Sequence, residues 1–508
     1  MSALRVGKLG FAANSGGKMM SNGFWTWFSA VFVGGAACAT VAGCGSDELS
    51  PATCPEENQV RGVCVGVPAG DLCVGKSCPE GPKCNELLDV TSGDELTSAA
   101  QGASPGTCIA LRSGRYDVVR VPGGVSLLGR SAAAVQVEGI VLAAGEGAVV
   151  RGLKVGREGV SVQGAKGVRI ESVRVVGERG HGEHAGVELY SGSSVTIVDS
   201  EISDSGYIGV FAENANVTLE RSVVSGAQRG GIVIEGIPED DCDSSCTCAN
   251  RPVLEVRSSI IRSNHIVGVA LRGATASLDT VDVDDTKVGD AFETGYFGGG
   301  ISAAECSSVS SARKVRVLDN DSFGILVDRS TAALGDEKEE DSIEISRNTR
   351  GLWIQNVCKG GGAGCVTLHN GKLDGNVGVG IGITGQSRSI ILCRSAITQT
   401  ARARLPVFDA INEDGIEELS VDYVGDGVDW LGGSEVILEE LTLSGNARQS
   451  LLIDGPAAGR IEKLRFTGDA DTAPVQQNFT DGDAQPAGMA PPTITERTFT
   501  IPQAPASP

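Results

Sequence analysis

Apolar and polar residues alternate along most of this chain in short runs, as in Val195-Thr196-Ile197, Val217-Thr218-Leu219 and Leu441-Thr442-Leu443. A period of two, rich in β-branched residues, predicts strands with one buried face rather than helices. The runs are separated by a recurring phrase: glycine, a branched aliphatic, any residue, then another apolar residue. It stands at Gly159-Val160, Gly186-Val187, Gly209-Val210, Gly231-Ile232, Gly268-Val269, Gly300-Ile301, Gly324-Ile325, Gly351-Leu352, Gly380-Ile381 and Gly427-Val428. An eleventh version, Ser450-Leu451-Leu452-Ile453, lacks only the glycine. The tightest spacings, from 186 to 209 and from 209 to 231, are 23 and 22 residues. Self-similarity at such a period marks a solenoid. A leucine-rich repeat of similar length would carry leucines at fixed offsets and a helical half, and neither is present.

A coil of about 22 residues cannot stand alone, because ordering its backbone costs roughly 1–2 kcal/mol per residue. Four or five inward side chains return only about 1.5–3 kcal/mol each. The coils must therefore stack, at about 4.8 Å per step, into a rod roughly 50 Å long. Stacking predicts one dry interior column: Val160, Val187, Val210, Ile232, Val269, Ile301, Ile325, Leu352, Ile381, Val428 and Leu451. A second register accompanies it. Asn264, Asn320, Asn376 and Asn446 each lie four residues before the first position of the phrase. Asparagine tolerates turn conformations and bonds to its own kind in stacks, which predicts a turn ladder.

The stretch "CIALRSGRYDVVRVPGGVSLLGRS", residues 108–131, adds a strand, a Gly-x-Tyr and a valine-rich strand ending in Leu-x-Gly. In this the chain resembles the right-handed parallel β-helix proteins of the pectin-lyase-like superfamily, over about residues 100–466. The expected fold is all-β, a right-handed parallel β-helix solenoid of about 11–13 coils behind a cysteine-rich N-terminal neck. The resemblance is nearly silent on activity, since one fold hosts many functions.

Residues 1–43 carry Arg5, Lys8 and Lys18, no acidic residue, and the apolar run "FWTWFSAVFVGGAACATVAG". Such a leader is an export signal. It stops at Val41-Ala42-Gly43-Cys44, which resembles a bacterial lipobox and implies cleavage before Cys44 and lipidation of that cysteine. The three acyl chains that such lipidation implies suffice for stable membrane attachment. Gly45 in place of an aspartate implies the outer membrane, on its periplasmic or its outer face. An uncleaved span and an ordinary cleaved signal peptide are the alternatives. No later segment is long and apolar enough to cross a bilayer.

Net charge is −22, and such a surface repels phosphate backbones, which argues against nucleic acid as a partner. Cys54, Cys64, Cys73, Cys78, Cys84 and Cys108 form an even set in or next to residues 44–99. That set reads as a disulfide-stapled neck, because zinc knuckles would pair their cysteines two apart and histidine is absent there. Cys242, Cys246, Cys248, Cys306, Cys358, Cys365 and Cys393 belong to the rod. "CKGGGAGC" points to a local Cys358–Cys365 disulfide, and the odd count leaves one thiol over, with Cys393 the candidate. Residues 467–508, rich in Pro, Ala and Thr, read as a mostly disordered tail in which "ITERTFTI" could add a strand.

Chemistry is harder to find. "GHG" at Gly180-His181-Gly182 resembles a polygalacturonase element, but the carboxylate segments that should precede it are missing. His181, Glu183 and His184 read as a solvated loop before they read as a metal site. Asp279, Asp282, Asp284, Asp285 and Asp290 precede the insert "AFETGYFGGG". Ca²⁺ is a candidate ligand for that run; alternating aspartates on the solvent side of a strand are the simpler account. No metal ligand set and no catalytic residue is assigned. One outward column holds Phe211, Val233, Leu326, Trp353 and Leu452, apolar residues that are costly to leave in water together. Either the chain's own loops cover this strip, or it is a binding surface for sugars or a protein partner. Two functions follow: a non-catalytic, lipid-anchored β-helix that binds glycan or a surface protein, or a lyase or hydrolase acting on acidic polysaccharide.

Overall fold

In a computed structural model, the protein is described over residues 55–467 except 69, 75–80, 181–183, 237–250, 289–298, 359–364, 386, 412–416, 432 and 456, with two further strands at Val475–Asn478 and Thr493–Ile494. The leader and Cys44 lie outside the described residues.

The predicted column exists, rung by rung. Val160 pairs with Val187, Val187 with Val210, Val210 with Ile232 and Ile232 with Val269, all in parallel register. The series continues through Ile301, Ile325, Leu352, Ile381, Val428 and Leu451. Two other columns of strands stack beside it, so that each coil contributes a strand to each of three parallel ladders, as at Val168–Glu171, Arg174–Val176 and Val187–Leu189. The architecture is a parallel β-helix. Its core is one continuous apolar cluster from Val90 to Leu464.

After Gly159, which has φ +65°, the recurring glycine is explained by space rather than by backbone conformation. A Cβ on Gly209 would stand 2.5 Å from Val224 Cγ1 and 2.6 Å from the carbonyl oxygen of Gly231, the glycine one coil on. Gly231 would meet the oxygen of Gly268 at 2.5 Å, Gly268 that of Gly300 at 2.6 Å, and Gly300 that of Gly324 at 2.7 Å. Each glycine lets the next coil sit down on it. The asparagine register completes the same corner. Asn264 Oδ1 accepts from Ala227 N–H at 3.0 Å, Asn320 Oδ1 from Thr286 N–H at 3.1 Å, and Asn446 Oδ1 from Thr400 N–H at 3.2 Å. Asn348, whose offset from Gly351 is one residue shorter, belongs to the ladder too: its Oδ1 accepts from Asn320 N–H, and its own N–H donates to Asn376 Oδ1 at 3.0 Å. A serine ladder at another corner has no counterpart in the sequence reading. There Val173 N–H donates to Ser200 Oγ, Ser200 N–H to Ser222 Oγ and Ser222 N–H to Ser259 Oγ, each at 3.1 Å. Buried turn amides must find partners, and these side chains supply them.

Both ends of the rod differ from the expected boundaries. The ladder starts at Glu86–Val90, which pairs with Thr107–Leu111, inside the stretch assigned to the neck. Between them helix Gly93–Gly102 closes the N-terminal end, capped by Ser92, whose hydroxyl accepts from Glu95 N–H, and burying Leu96 and Ala100. Cys84 and Cys108 are disulfide-bonded across this first pair, with Cα atoms 5.5 Å apart. At the other end Val475–Asn478 pairs with Leu451–Asp454, and Thr493–Ile494, within "ITERTFTI", pairs with Ala458–Glu462. The ladder thus runs past residue 466, because an open sheet edge offers unpaired N–H and C=O groups that even sparse segments can satisfy.

The segment between Asn58 and Leu72 lies back along the outside of the rod. Val60 and Val65 form an apolar cluster with Val223 and Ile260. Val67 N–H donates to Glu201 Oε1 at 3.2 Å, Gly66 N–H to the Arg221 carbonyl at 2.9 Å, and Leu72 N–H to the Arg130 carbonyl at 2.7 Å. Arg262 Nη2 donates to Asn58 Oδ1 at 3.2 Å. A second elaboration is the antiparallel hairpin of Ala403–Ile411 and Glu417–Val424. Cys358 and Cys365 are disulfide-bonded, Cα atoms 6.3 Å apart, and Cys393 is a buried free thiol. Among the described residues no helix is long and apolar enough to cross a membrane.

Candidate functional site

The apolar strip is one continuous outward column. Glu188 pairs with Phe211, Phe211 with Val233, Val233 with Ala270, Ala270 with Ser302, Ser302 with Leu326 and Leu326 with Trp353. Beyond lie Gly382, Asp429 and Leu452. The strip is only partly open. Leu452 is 6% exposed, and Phe211, Val233, Leu326 and Trp353 are half-buried. Trp353 packs against the cluster of Val379 and Val424, which Ala403 at the base of the hairpin also joins. Its ring also stands 6.2 Å from that of Phe323, and the Arg350 guanidinium lies over both rings, 5.3 and 5.6 Å from their centroids. The indole further spreads across Gly382 of the next coil, where a Cβ would strike it. Val424, at the base of the hairpin, therefore covers part of the strip around Trp353.

The aspartate run faces outward, and cations from its own and the next coil answer it. Asp282 accepts from Arg316 Nε at 2.7 Å, and Asp285 lies 2.7 Å from Lys287 Nζ. The neck strand Gln59–Val60 packs against Thr275–Asp284, so Asp282 is buried and Asp284 half-buried rather than washed by solvent. Burial, with the neighbouring Asp282 carboxylate second, pushes Asp284 up to about 6. Asp290 lies outside the described residues, as do His181 and Glu183; His184 is exposed, 3.7 Å from Glu158. Among the described residues no group of three or more His, Cys, Asp or Glu is placed to hold a metal ion.

A site the sequence did not disclose opens on the same outer face as the neck, toward the C-terminal coils. The paired residues Lys372, Ala396, Thr442 and Arg465 run along its floor, one per coil. At its corner stand Asn370, Arg394, Glu440 and Lys463, all with φ near +50°. The result is an open groove of 810 Å³ spanning successive coils, with its long axis along the rod. Lys372, Arg394, Lys463 and Arg465 all project into solvent there. Lys463 Nζ lies 2.7 Å from Glu440 Oε1 and holds that carboxyl below its usual value, and Lys372 Nζ lies 3.0 Å from Glu344 Oε1. Among the described residues neither Arg394 nor Arg465 has a carboxylate within 4.0 Å. Most other arginines of the rod are ion-paired, as Arg221, Arg316, Arg347 and Arg448 are. The groove thus presents two guanidinium groups outside any close ion pair, beside hydroxyl, amide and carboxylate acceptors.

No family model matches the chain, and no curated protein matches it. Solved structures do. The A-module of a mannuronan C-5 epimerase from Azotobacter vinelandii is 13% identical, with 83% of this chain and 98% of that one covered and a TM-score of 0.34. The catalytic unit of a GH87 alpha-1,3-glucanase from Streptomyces thermodiastaticus is 11% identical, with 86% and 70% covered and a TM-score of 0.37. A surface adhesin of Streptococcus pneumoniae is 10% identical, with 78% and 90% covered and a TM-score of 0.36. At these identities and scores the likeness says nothing about what this chain binds.

Proposed function

We propose that the protein is an exported, lipid-anchored β-helix that binds an acidic polysaccharide in the groove of its C-terminal coils, without turning it over. The observation that carries this reading is the pair Arg394 and Arg465, each without a carboxylate within 4.0 Å among the described residues and both lining one groove of a chain whose net charge is −22. Guanidinium groups are strong donors to carboxylates. Glu440 and Asn370 beside them suit a ligand that also offers hydroxyl donors, which a bare polyphosphate lacks. The leader and Cys44 supply the anchor in this proposal, and the envelope is where such polymers are met.

Titration with polygalacturonate and alginate, against neutral dextran, tests it. Binding of the acidic polymers should weaken as salt is raised, and Arg394→Ala with Arg465→Ala should cost about tenfold in affinity, the yield of two exposed charge-assisted contacts. Equal binding of dextran, or full affinity in the double variant, would sink the reading. Release of unsaturated products or new reducing ends would reassign the protein as a lyase or hydrolase.

A further inference from the structure

The neck and the groove share one face. A single outward column runs through Lys154, Arg174, Glu201, Val223 and Ile260, and continues through Asp282, Arg316, Glu344, Lys372, Ala396, Thr442 and Arg465. Cations stand near both its ends, Lys154 and Arg174 at one and Arg316, Lys372 and Arg465 at the other, with none at the four positions between. The neck segment crosses only the first part, from Arg262 back to Arg130, and does so with both apolar and polar contacts. Val60 is fully buried and Val65 is 4% exposed on Val223 and Ile260. Arg262, on the coil next to Asp284, spends its guanidinium on the Glu57 carbonyl and Asn58 Oδ1.

We propose that residues 55–72 act as a strap that fixes how long a ligand the face accepts, with Val60 and Val65 as the residues that set this limit. The inference rests on the groove reading above. The strap and an extended chain lying along the rod need the same column, so the two exclude one another over the first coils. What remains open runs from the coil of Arg316 to that of Arg465, five steps of about 4.8 Å, roughly 24 Å. A ligand longer than that gains no contacts while the strap is down. With the strap released, Arg262 loses its two acceptors and the column opens toward Arg174 and Lys154.

The test uses the full chain and size-defined oligogalacturonates. In the parent, affinity should climb with chain length and level off once the oligomer spans the open coils. In Val60→Asp with Val65→Asp, hydrogen exchange over 55–72 should rise, and the longest oligomers should bind about 2- to 5-fold tighter than in the parent, the yield of one added exposed ion pair, while short ones bind unchanged. Asn58→Ala, which loosens the polar hook and leaves the apolar contacts, should give a smaller shift in the same direction. If exchange rises and the levelling-off point does not move, the strap does not limit the ligand and this inference falls alone. If 55–72 stays protected in the double variant, the strap is not displaceable and the inference falls as well. If the parent binds no oligomer of any length, the groove reading itself fails and takes the strap with it.

Discussion

Asn264 Nδ2 lies 2.7 Å from the point where a Cβ on Gly231 would stand, and two rungs further on Asn320 Nδ2 occupies the same place over Gly300 at 2.9 Å. The asparagine ladder and the glycine column are therefore one device. The glycine clears the corner, and the amide of the next coil fills it while bonding the turn.

Gly231→Ala forces the Gly268 carbonyl and the Asn264 amide apart and should cost about 1–3 kcal/mol. Asn264→Ala leaves the buried Ala227 amide without its acceptor and should cost a similar amount. Gly102→Ala, with nothing within 4 Å of the new methyl, should be close to neutral. Denaturant midpoints for the three variants check this; a neutral Gly231→Ala would show that the corner is loose.

Gly382→Ala should push the Trp353 indole off its seat. Loss of the stack with Phe323 and Arg350 shifts tryptophan emission and lowers thermal stability by about 1–3 kcal/mol. Polysaccharide affinity should stay as in the parent, because this corner lies apart from the groove residues. Coupled loss of binding would return the strip to consideration as the ligand surface.

Asp284, held at about 6 by burial, binds its proton more tightly folded than unfolded. Its contribution therefore favours the folded state increasingly as pH falls from above 6 toward the usual aspartate value, and is lost as pH rises through 6. Asp284→Asn should raise stability at pH 7.5 by an amount on the order of 2–3 kcal/mol, with the gain shrinking to nothing near pH 4. Melting curves of both proteins across that range decide it. Only the difference between them is informative, since Glu440 and Glu95, held low by their partners, pull the other way.

Cys393 is buried and burial raises its thiol above the usual range. It should resist iodoacetamide in the folded protein at pH 7.5 and react after denaturation without reductant. Rapid labelling of the native chain at Cys393 would contradict that burial.

If Cys44 is lipidated as the leader implies, Cys44→Ser should move the protein from the detergent phase to the aqueous phase on Triton X-114 partition, and the mature parent should gain acyl mass at its N-terminus. An aqueous parent would leave an ordinary exported protein.

What the chain declares by itself is its repeat. Alternation of period two, with an aliphatic after each glycine, admits one stacked arrangement that buries Val187 on Val210 on Ile232, so fold and interior were readable in linear order. Asn348 escaped notice because its turn is one residue shorter, which shifts its offset while its place in space is kept. Stacking alone decided the rest. Lys372, Arg394, Lys463 and Arg465 lie scattered over nearly a hundred residues and become neighbours only because successive coils are about 4.8 Å apart. Val60 and Val65 carry no period at all, and their role follows from the apolar pair Val223 and Ile260 that the rod exposes to them. Periodic burial is written in sequence because every coil must solve the same packing problem; a groove or a strap is a single solution across coils, and no local pattern records it.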